Sequence, residues 1–430
     1  MKLNPIRSDR KIRPQLPFWS LLFITGFLLF TRWLFDEVFF LSALYFVAIY
    51  FSLAIVYSLL VLDNLDIDRK SRYHRRQVGD LYEENLMIAN HSLLPIFWMQ
   101  INDRSALSQY HARRVIGFLG GRQGRIIRIN SYLQKRGNVA LSPIEVITSD
   151  PIGCFSISKC IHTTGSLIIL PYRVDLPTVT TKERLSDEGG SSRILPQKGD
   201  RISGSVREYS AGDPFNRIHW PTTARKGNLY TKLPDQTVQR TVWICLDCHK
   251  SIHTSRMERV EQQRYDYLDT AHLRQKYALP PDTMETAVSI TTSLAVTWLK
   301  KGIDVGLVFN QQPLFTILPG HGSRQQKDIL NSLTYVQADS KISLATMLES
   351  FSSRLKPGNI CFLVTPDDSS EMVSAVQSLT RNGIDMRVIH IFLASFSSGY
   401  TGASYQRDWS FIRAIHFGYG DNLTDVAHIL

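Results

Sequence analysis

The chain has 430 residues, with 49 lysines and arginines against 38 acids, a formal net charge of +11, 43% hydrophobic residues and 20% charged residues. That length exceeds one ordinary core and calls for two or three domains, while the composition excludes a disordered or collagen-like chain. The five cysteines, an odd and scattered set, fit a reducing compartment rather than a disulfide framework.

A basic tail over residues 1–15 carries Lys2, Arg7, Arg10, Lys11 and Arg13. Two apolar runs follow, Leu16 to Phe35 with Arg32 as its only charge, and about Val38 to Leu62 with none. Each reaches the ~20 residues that cross a hydrocarbon core, and a signal peptide would carry a shorter apolar segment and a small-residue cleavage site. Asp36 and Glu37 alone separate the runs, so residues 16–62 read as a transmembrane helical hairpin. Arg69, Lys70, Arg72, Arg75 and Arg76 follow the second run. Basic residues flanking spans stay cytoplasmic, which predicts both termini and the soluble body on that side. The second run offers no ionisable side chain for an ion path, so the hairpin is an anchor. The excess positive charge then serves lipid and topology rather than nucleic acid.

Residues 63–175 change to short β-type runs broken by turns: 85–90, 95–103, 114–120, 124–130, 137–148 and 165–172. Their spacing predicts an all-β domain, an Ig-like sandwich or a barrel. The run GGRQGR (120–125) reads as a hairpin turn, because it lacks the Gly-Lys-Ser/Thr ending of a phosphate cradle. Residues 176–240 read as a polar linker followed by GDPFNRIHWPTTARKGNLY (212–230), a basic, aromatic stretch with no clean period.

From 241 to 430, near-continuous apolar runs at 241–247, 303–310, 359–365 and 385–392 alternate with amphipathic runs at 284–302, 323–336, 342–355 and 371–383. A weaker edge run lies near 313–318. That alternation predicts a doubly wound α/β domain with a parallel sheet covered on both faces. The tyrosine-rich insert at 250–281 is longer than a normal loop.

The residues Glu208-Tyr209, Gly212-Asp213, Arg217, Trp220, Ala224-Arg225, Gly227 and Leu229 resemble the signature of the domain of unknown function 58 (DUF58) family. The run RGNVALSPIEVITSDPIGCF (136–155) resembles a second stretch of that family. The resemblance implies two membrane spans, a β domain, the signature and a von Willebrand factor A-like α/β domain, in a protein of the bacterial cytoplasmic membrane. It also implies the company of a MoxR-type AAA ATPase, and it implies no reaction.

An A-type domain often holds a divalent ion through Asp-x-Ser-x-Ser after its first strand. Here the run is Asp247-Cys248-His249-Lys250-Ser251, in which Asp247 and Ser251 match, His249 replaces the first serine and Lys250 adds a positive charge. Asp367 or Asp368 would supply a later carboxylate, and Mg²⁺ is the ion such oxygen donors suit. The alternative is a structural acid at Asp247. Cys245 and Cys248 spell C-x-x-C, but Cys245 sits inside an apolar strand, as a core residue would. His162, His321 and His390 each stand alone.

Asp213, Arg217, His219, Trp220 and Arg225 have two readings. In one, the segment is a clasp, with Trp220 buried between the β and α/β domains. In the other it is an exposed recognition surface, since Trp and Arg concentrate at interface hot spots. With no catalytic motif in view, the family resemblance implies a non-enzymatic, membrane-anchored scaffold or adaptor that needs no cofactor and binds a protein partner, the AAA ATPase. A divalent-metal-dependent protein-binding module is the second reading, and a hydrolase with a site outside the known patterns is the third.

Overall fold

A computed structural model describes residues 10–35, 38–71, 73–105, 113–163, 165–177, 202–211, 213, 215–234, 241–255, 279–396, 409 and 411–430. The middle of the insert (256–278) and most of the 176–201 linker therefore lie outside the described residues.

The tail differs from expectation at its end. Residues Arg10–Pro14 form a strand, β1, that enters directly into the helix α1 (Leu16–Phe35). The helix α2 (Val38–Leu60) packs on α1, with Phe18 and Phe51 rings 5.4 Å apart. Both helices are long and apolar enough to cross a membrane, with mean hydropathies of 1.6 and 2.3.

Ten strands follow: β2 (Leu65–Ser71), β3 (Arg75–Gln77), β4 (Leu81–Asn90), β5 (Met99–Asp103), β6 (Arg113–Ile116), β7 (Gly124–Tyr132), β8 (Gly137–Ala140), β9 (Ile144–Ser149), β10 (Phe155–Ile161) and β11 (Ser166–Leu170). They form a five-stranded sheet in the order β1-β10-β9-β5-β6, a three-stranded sheet β2-β4-β7 and a second three-stranded sheet β3-β11-β8. Alternation does the sorting. Leu65 and Ile67 of β2, Leu86 and Ile88 of β4 and Ile129 of β7 turn inward against Met99 and Ile101 of β5, Val146 of β9 and Ile157 of β10. Val61 and Leu62, just past α2, are buried in the same core.

That continuity explains β1. It pairs antiparallel with β10, from Arg10↔Lys159 to Pro14↔Phe155. The pairing brings the Arg10 guanidinium onto the carbonyls of Leu59 and Ser58 and within 2.8 Å of Asp63, while Lys159 Nζ donates to Leu62 O at 2.6 Å. The last carbonyls of a helix have no partner within it. Two cations supply donors here, and the helix dipole favours positive charge at this end.

A buried ion cluster crosses the β unit. Arg69 Nη2 lies 2.6 Å from Asp103, its Nη1 donates to Leu141 O at 3.0 Å, and its Nε stands 3.4 Å from Glu84. Both Glu84 carboxylate oxygens lack a hydrogen-bond donor.

The stretch read from sequence as irregular is built as a small unit. Strands β12 (Ile202–Glu208) and β13 (Tyr230–Pro234) pair antiparallel, with a 3-10 turn at Phe215–Arg217 and a short helix α3 (Trp220–Lys226) between them.

The α/β unit comprises β14 (Val242–Leu246), α4 (Thr283–Lys300), β15 (Val305–Phe309), β16 (Phe315–Gly320), α5 (Gly322–Tyr335), α6 (Leu344–Phe351), β17 (Ile360–Thr365), α7 (Ser370–Arg381), β18 (Asp385–Ile391) and β19 (Arg413–Phe417). The sheet order is β16-β15-β14-β17-β18-β19, parallel throughout except for the antiparallel edge strand β16. Period-two alternation splits β14 between two cores. Val242, Ile244 and Leu246 face α4 and α5, while Trp243 and Cys245 face α6 and α7. A Cβ on Gly306, directly opposite Trp243, would stand 2.6 Å from the indole, so only glycine leaves room for that ring.

The β and α/β units meet. Arg136, between β7 and β8, donates to Val336 O past the end of α5 and pairs with Glu285 in the first turn of α4 at 2.6 Å. Tyr172 and Val174 pack on the α/β core, Leu176 is buried within it, and Val174 N donates to Ser293 Oγ of α4 at 3.0 Å.

Candidate functional site

In an open α/β sheet, sites form outside the carboxyl ends of the strands, where successive crossovers leave in opposite directions. Here that point lies between β14 and β17, whose following loops begin at Asp247 and Pro366. The parallel register carries Asp247 N onto Val364 O at 3.0 Å.

Asp247 is fully buried. Its Oδ1 accepts from the backbone N of His249 at 3.0 Å and from Asn310 Nδ2 at 2.9 Å, and its Oδ2 accepts from Thr365 Oγ1 at 2.7 Å. Burial raises its pKa, and the donors from Thr365, His249 and Asn310 oppose that rise. Asn310 Oδ1 in turn accepts from Cys248 N at 2.6 Å. Thr365 Oγ1 also accepts from Asp367 N at 2.9 Å, joining the two acids through one hydroxyl.

The other expected metal ligands have their own partners. Asp367 accepts from Ser369 N at 2.9 Å and lies 3.2 Å from Ser369 Oγ, at the start of α7. Ser251 Oγ lies 3.0 Å from His249 Nδ1 at the surface. Asp247 and Asp367 are thus brought into one hydrogen-bonded cluster, and Ser251 is turned toward His249. Among the described residues no group of three or more His, Cys, Asp or Glu is arranged to hold a metal ion. Chemically, the cluster fixes loop geometry, because each carboxylate oxygen of Asp247 already receives a donor.

Sequence reasoning missed three participants. Asn310 and Thr365 each end an apolar strand run with a polar residue, which is the signal that could have found them. His253 closes the cluster from the insert side, its Nε2 2.9 Å from Asp247 O and its Nδ1 3.1 Å from Thr283 Oγ1, with its pKa lowered chiefly by burial. The loop Cys248–Ser251, buried at Cys248 and exposed at Lys250, is held against Ser340 by reciprocal backbone bonds, Lys250 N to Ser340 O at 2.9 Å and Ser340 N to Cys248 O at 3.0 Å.

Two single histidines acquire partners. His390 and His416, paired across β18 and β19, bring their Nδ1 atoms to 3.2 Å, and burial lowers both pKa values. His321 stands 2.7 Å from Asp304. Cys245 is a core residue whose Sγ lies 3.6 Å from that of Cys361, not of Cys248, and burial pushes the Cys248 thiol up.

The segment around Trp220 corrects the clasp reading. The Trp220 side chain opens α3 and is 64% exposed. His219 caps the helix, with Thr222 N donating to its Nδ1 at 3.3 Å, and its own N donates to Tyr230 O at 2.7 Å. Asp213 pairs with Arg207 at 2.8 Å and accepts from Ser210 N at 3.1 Å. Arg225 lies exposed in the last turn, and Gly227 closes the helix at φ 76°. Arg217 belongs to the 3-10 turn, and Gly212 lies outside the described residues. Ile218, two residues earlier, is buried, while the Trp220 ring stays outside. The joint between the β and α/β units is made instead by Arg136 and the extended 172–176 segment that follows β11.

Residues 205–273 match the family model described as protein of unknown function DUF58. The uncharacterized protein YeaD of Bacillus subtilis (strain 168) is 22% identical over 206 residues, 47% of this chain and 44% of that protein. The match thus spans less than half the length of that relative. Among solved structures, a CARDB domain from Pyrococcus furiosus is similar at 11% identity and a TM-score of 0.18, over 24% of this chain and 91% of that one. A β-glucosidase from Listeria innocua is similar at 13% identity and a TM-score of 0.14, over 24% of this chain and 16% of that one. At such TM-scores neither likeness bears on fold or chemistry here.

Proposed function

We propose that the chain is a membrane-anchored, non-enzymatic adaptor whose α/β unit, of von Willebrand factor A-like type, binds a protein partner, an AAA ATPase of the MoxR type, through the loops at the carboxyl ends of its strands. The observation that carries this reading is the state of Asp247, whose two oxygens receive three internal donors at the point where such a sheet would place reactive or ion-binding groups. A carboxylate so held orders the 248–251 loop and is not free for chemistry. Two features lie exposed nearby in sequence, Lys250 in that loop and Trp220 with Arg225 in the DUF58-matching segment. The sheet order with an antiparallel edge strand and helices on both faces supports the A-type comparison. The two apolar helices support the anchor, with both termini on the cytoplasmic face of a bacterial membrane as the charge pattern suggests.

The test is a crosslinking pull-down of the intact protein from its native membranes. Recovery of an AAA ATPase that is lost with Lys250→Glu or Arg217→Glu supports the adaptor. Recovery unaffected by either change contradicts the surface assigned.

A second reading has one observation in its favour, the Asp247–Thr365–Asp367 relay, which sets three oxygen-bearing residues along one loop edge. A divalent ion there would have to displace Asn310 and Thr365 from Asp247. A melting temperature that rises with Mg²⁺ in the intact chain and not in Asp247→Ala would support it.

A further inference from the structure

The β unit does not stand clear of the two apolar helices. Asp150, in the loop before β10, accepts from the Tyr50 hydroxyl at 2.7 Å, and Phe155 packs on Phe18 and Phe51 with ring centroids 5.5 and 5.9 Å away. Tyr50 lies ten residues before the end of α2, about 15 Å along its axis at 1.5 Å per residue. The 150–155 loop therefore runs beside the apolar part of the hairpin. Seven residues further on, roughly 10 Å by the same rise, the Tyr57 hydroxyl donates to Pro95 O at 2.9 Å, and its ring lies 6.2 Å from Phe97.

Around these contacts the β unit presents large apolar side chains to the outside. Leu93 is 75% exposed, Phe118 60%, Ile152 57% and Phe97 42%. They are not scattered. Phe97 and Phe118 rings are 6.1 Å apart, the isolated bridge Ile96↔Leu119 joins their loops, and Arg122 N donates to Ser92 O at 3.0 Å beside Leu93. Gly121 lets the two turns touch, since a Cβ there would come within 2.4 Å of Leu93 O. Contiguous exposed apolar surface of this kind marks a docking face.

We infer that this face, Leu93, Phe97, Phe118 and Ile152, sits in the headgroup–acyl boundary of the bilayer, so that the β unit rests on the membrane instead of hanging from it. The inference depends on the reading that α1 and α2 span a membrane. Three things select lipid as the occupant. Phe97 joins the face to α2 through its ring contact with Tyr57, and Ile152 lies in the loop whose Asp150 and Phe155 hold Tyr50 and Phe51, so lipid covering the outer sides of those helices lies beside both. Its Phe and Leu side chains are of the kind that interfacial elements bury at the headgroup–acyl boundary. Its border is basic: Lys11 and Arg13 lie exposed on β1, Arg122 on the adjoining turn and Arg125 at the start of β7, where anionic headgroups attract positive charge.

The test uses the full chain in vesicles of phosphatidylcholine and phosphatidylglycerol, spin-labelled at single introduced cysteines. Collisions with oxygen, which concentrates in lipid, are compared with collisions with a water-soluble nickel chelate. The labels go to Phe118→Cys, Ile152→Cys, Leu22→Cys on α1, and Leu318→Cys on β16, an exposed apolar position of the α/β unit. The unsubstituted chain sets the background from native cysteines. The expected result is loss of nickel collisions and retention of oxygen collisions at 118 and 152, as at 22, with free nickel access at 318. Labels at 118 and 152 as open to nickel as 318, while 22 stays in lipid, overturn the inference and leave the spanning helices intact. Shielding from both reagents at 118 and 152 overturns it in favour of a protein-covered face. Nickel access at 22 defeats the spanning reading itself, and the inference with it.

Discussion

Arg136 and Glu285 meet at 2.6 Å across the boundary between the β unit and the α/β unit, and the arginine side chain is almost wholly buried there. Glu285 belongs to the first turn of α4, where Asp282 caps the helix by accepting from Met284 N and Glu285 N. A negative side chain suits the positive end of a helix. The same guanidinium holds Val336 O, so one residue ties the β unit to two helices.

Removing the arginine strands Glu285, whose pKa burial already raises against the pull of Arg136. Arg136→Met should destabilise the detergent-solubilised chain by about 3 kcal/mol, the lower end for a broken ion pair because Glu285 keeps some solvent. Arg136→Met with Glu285→Met should recover much of it. Chemical unfolding followed by tryptophan fluorescence reads both. A double variant as unstable as the single would contradict the pairing.

Asp247 accepts three hydrogen bonds with no solvent to replace them. Asp247→Ala leaves the donors of Asn310, Thr365 and His249 unmet, at a cost of about 3–5 kcal/mol given ~1–3 kcal/mol per orphaned group and incomplete additivity. Thermal melts should show that loss, and millimolar Mg²⁺ or Mn²⁺ should leave the intact chain's midpoint unchanged.

Glu84 gives the β unit a pH dependence. Burial pushes its pKa up to about 7 from 4.5, partly opposed by Arg69, while Asp103 adds to the rise. The folded state then holds a proton that the unfolded chain has released. Stability from this group is full below about pH 4.5, falls as pH rises toward 7, and is flat above it, a change on the order of 3 kcal/mol. Glu84→Gln should remove that slope in unfolding measured between pH 5 and 8. An unaltered slope would assign it elsewhere.

Because Trp220 is mostly exposed, Trp220→Ala should change stability by no more than about 0.5 kcal/mol. Trp243→Ala, by contrast, removes a buried ring packed 4.9 Å from Phe351 and should cost about 3–5 kcal/mol. Parallel melts of the two variants decide whether either ring is placed as described.

The apolar runs VWICL, VGLVF and ICFLVT announced the central strands, because strands covered on both faces need no polar alternation. The edge strand β19, RAIHF, escaped notice because only one of its residues is buried and its pattern is mixed. Strand β1 was illegible for another reason: its pairing with Lys159 and Phe155 is long-range, and a basic stretch beside an apolar run looks like a topology signal. Asp247 was legible from its position at a strand end, while its saturation was not, since Asn310, just past β15, and Thr365, the last residue of β17, lie 63 and 118 residues away. Trp220 misled because an aromatic among polar residues carries no periodicity from which exposure can be inferred.

The adaptor account is tested most directly by placing a photo-crosslinking amino acid at Lys250, at Trp220 and, as a control, at Leu318, and irradiating the intact protein in its native membranes. The account predicts that positions 250 and 220 form an adduct with one AAA ATPase and that position 318 does not. No adduct at 250 and 220, or the same adduct at all three positions, would contradict it.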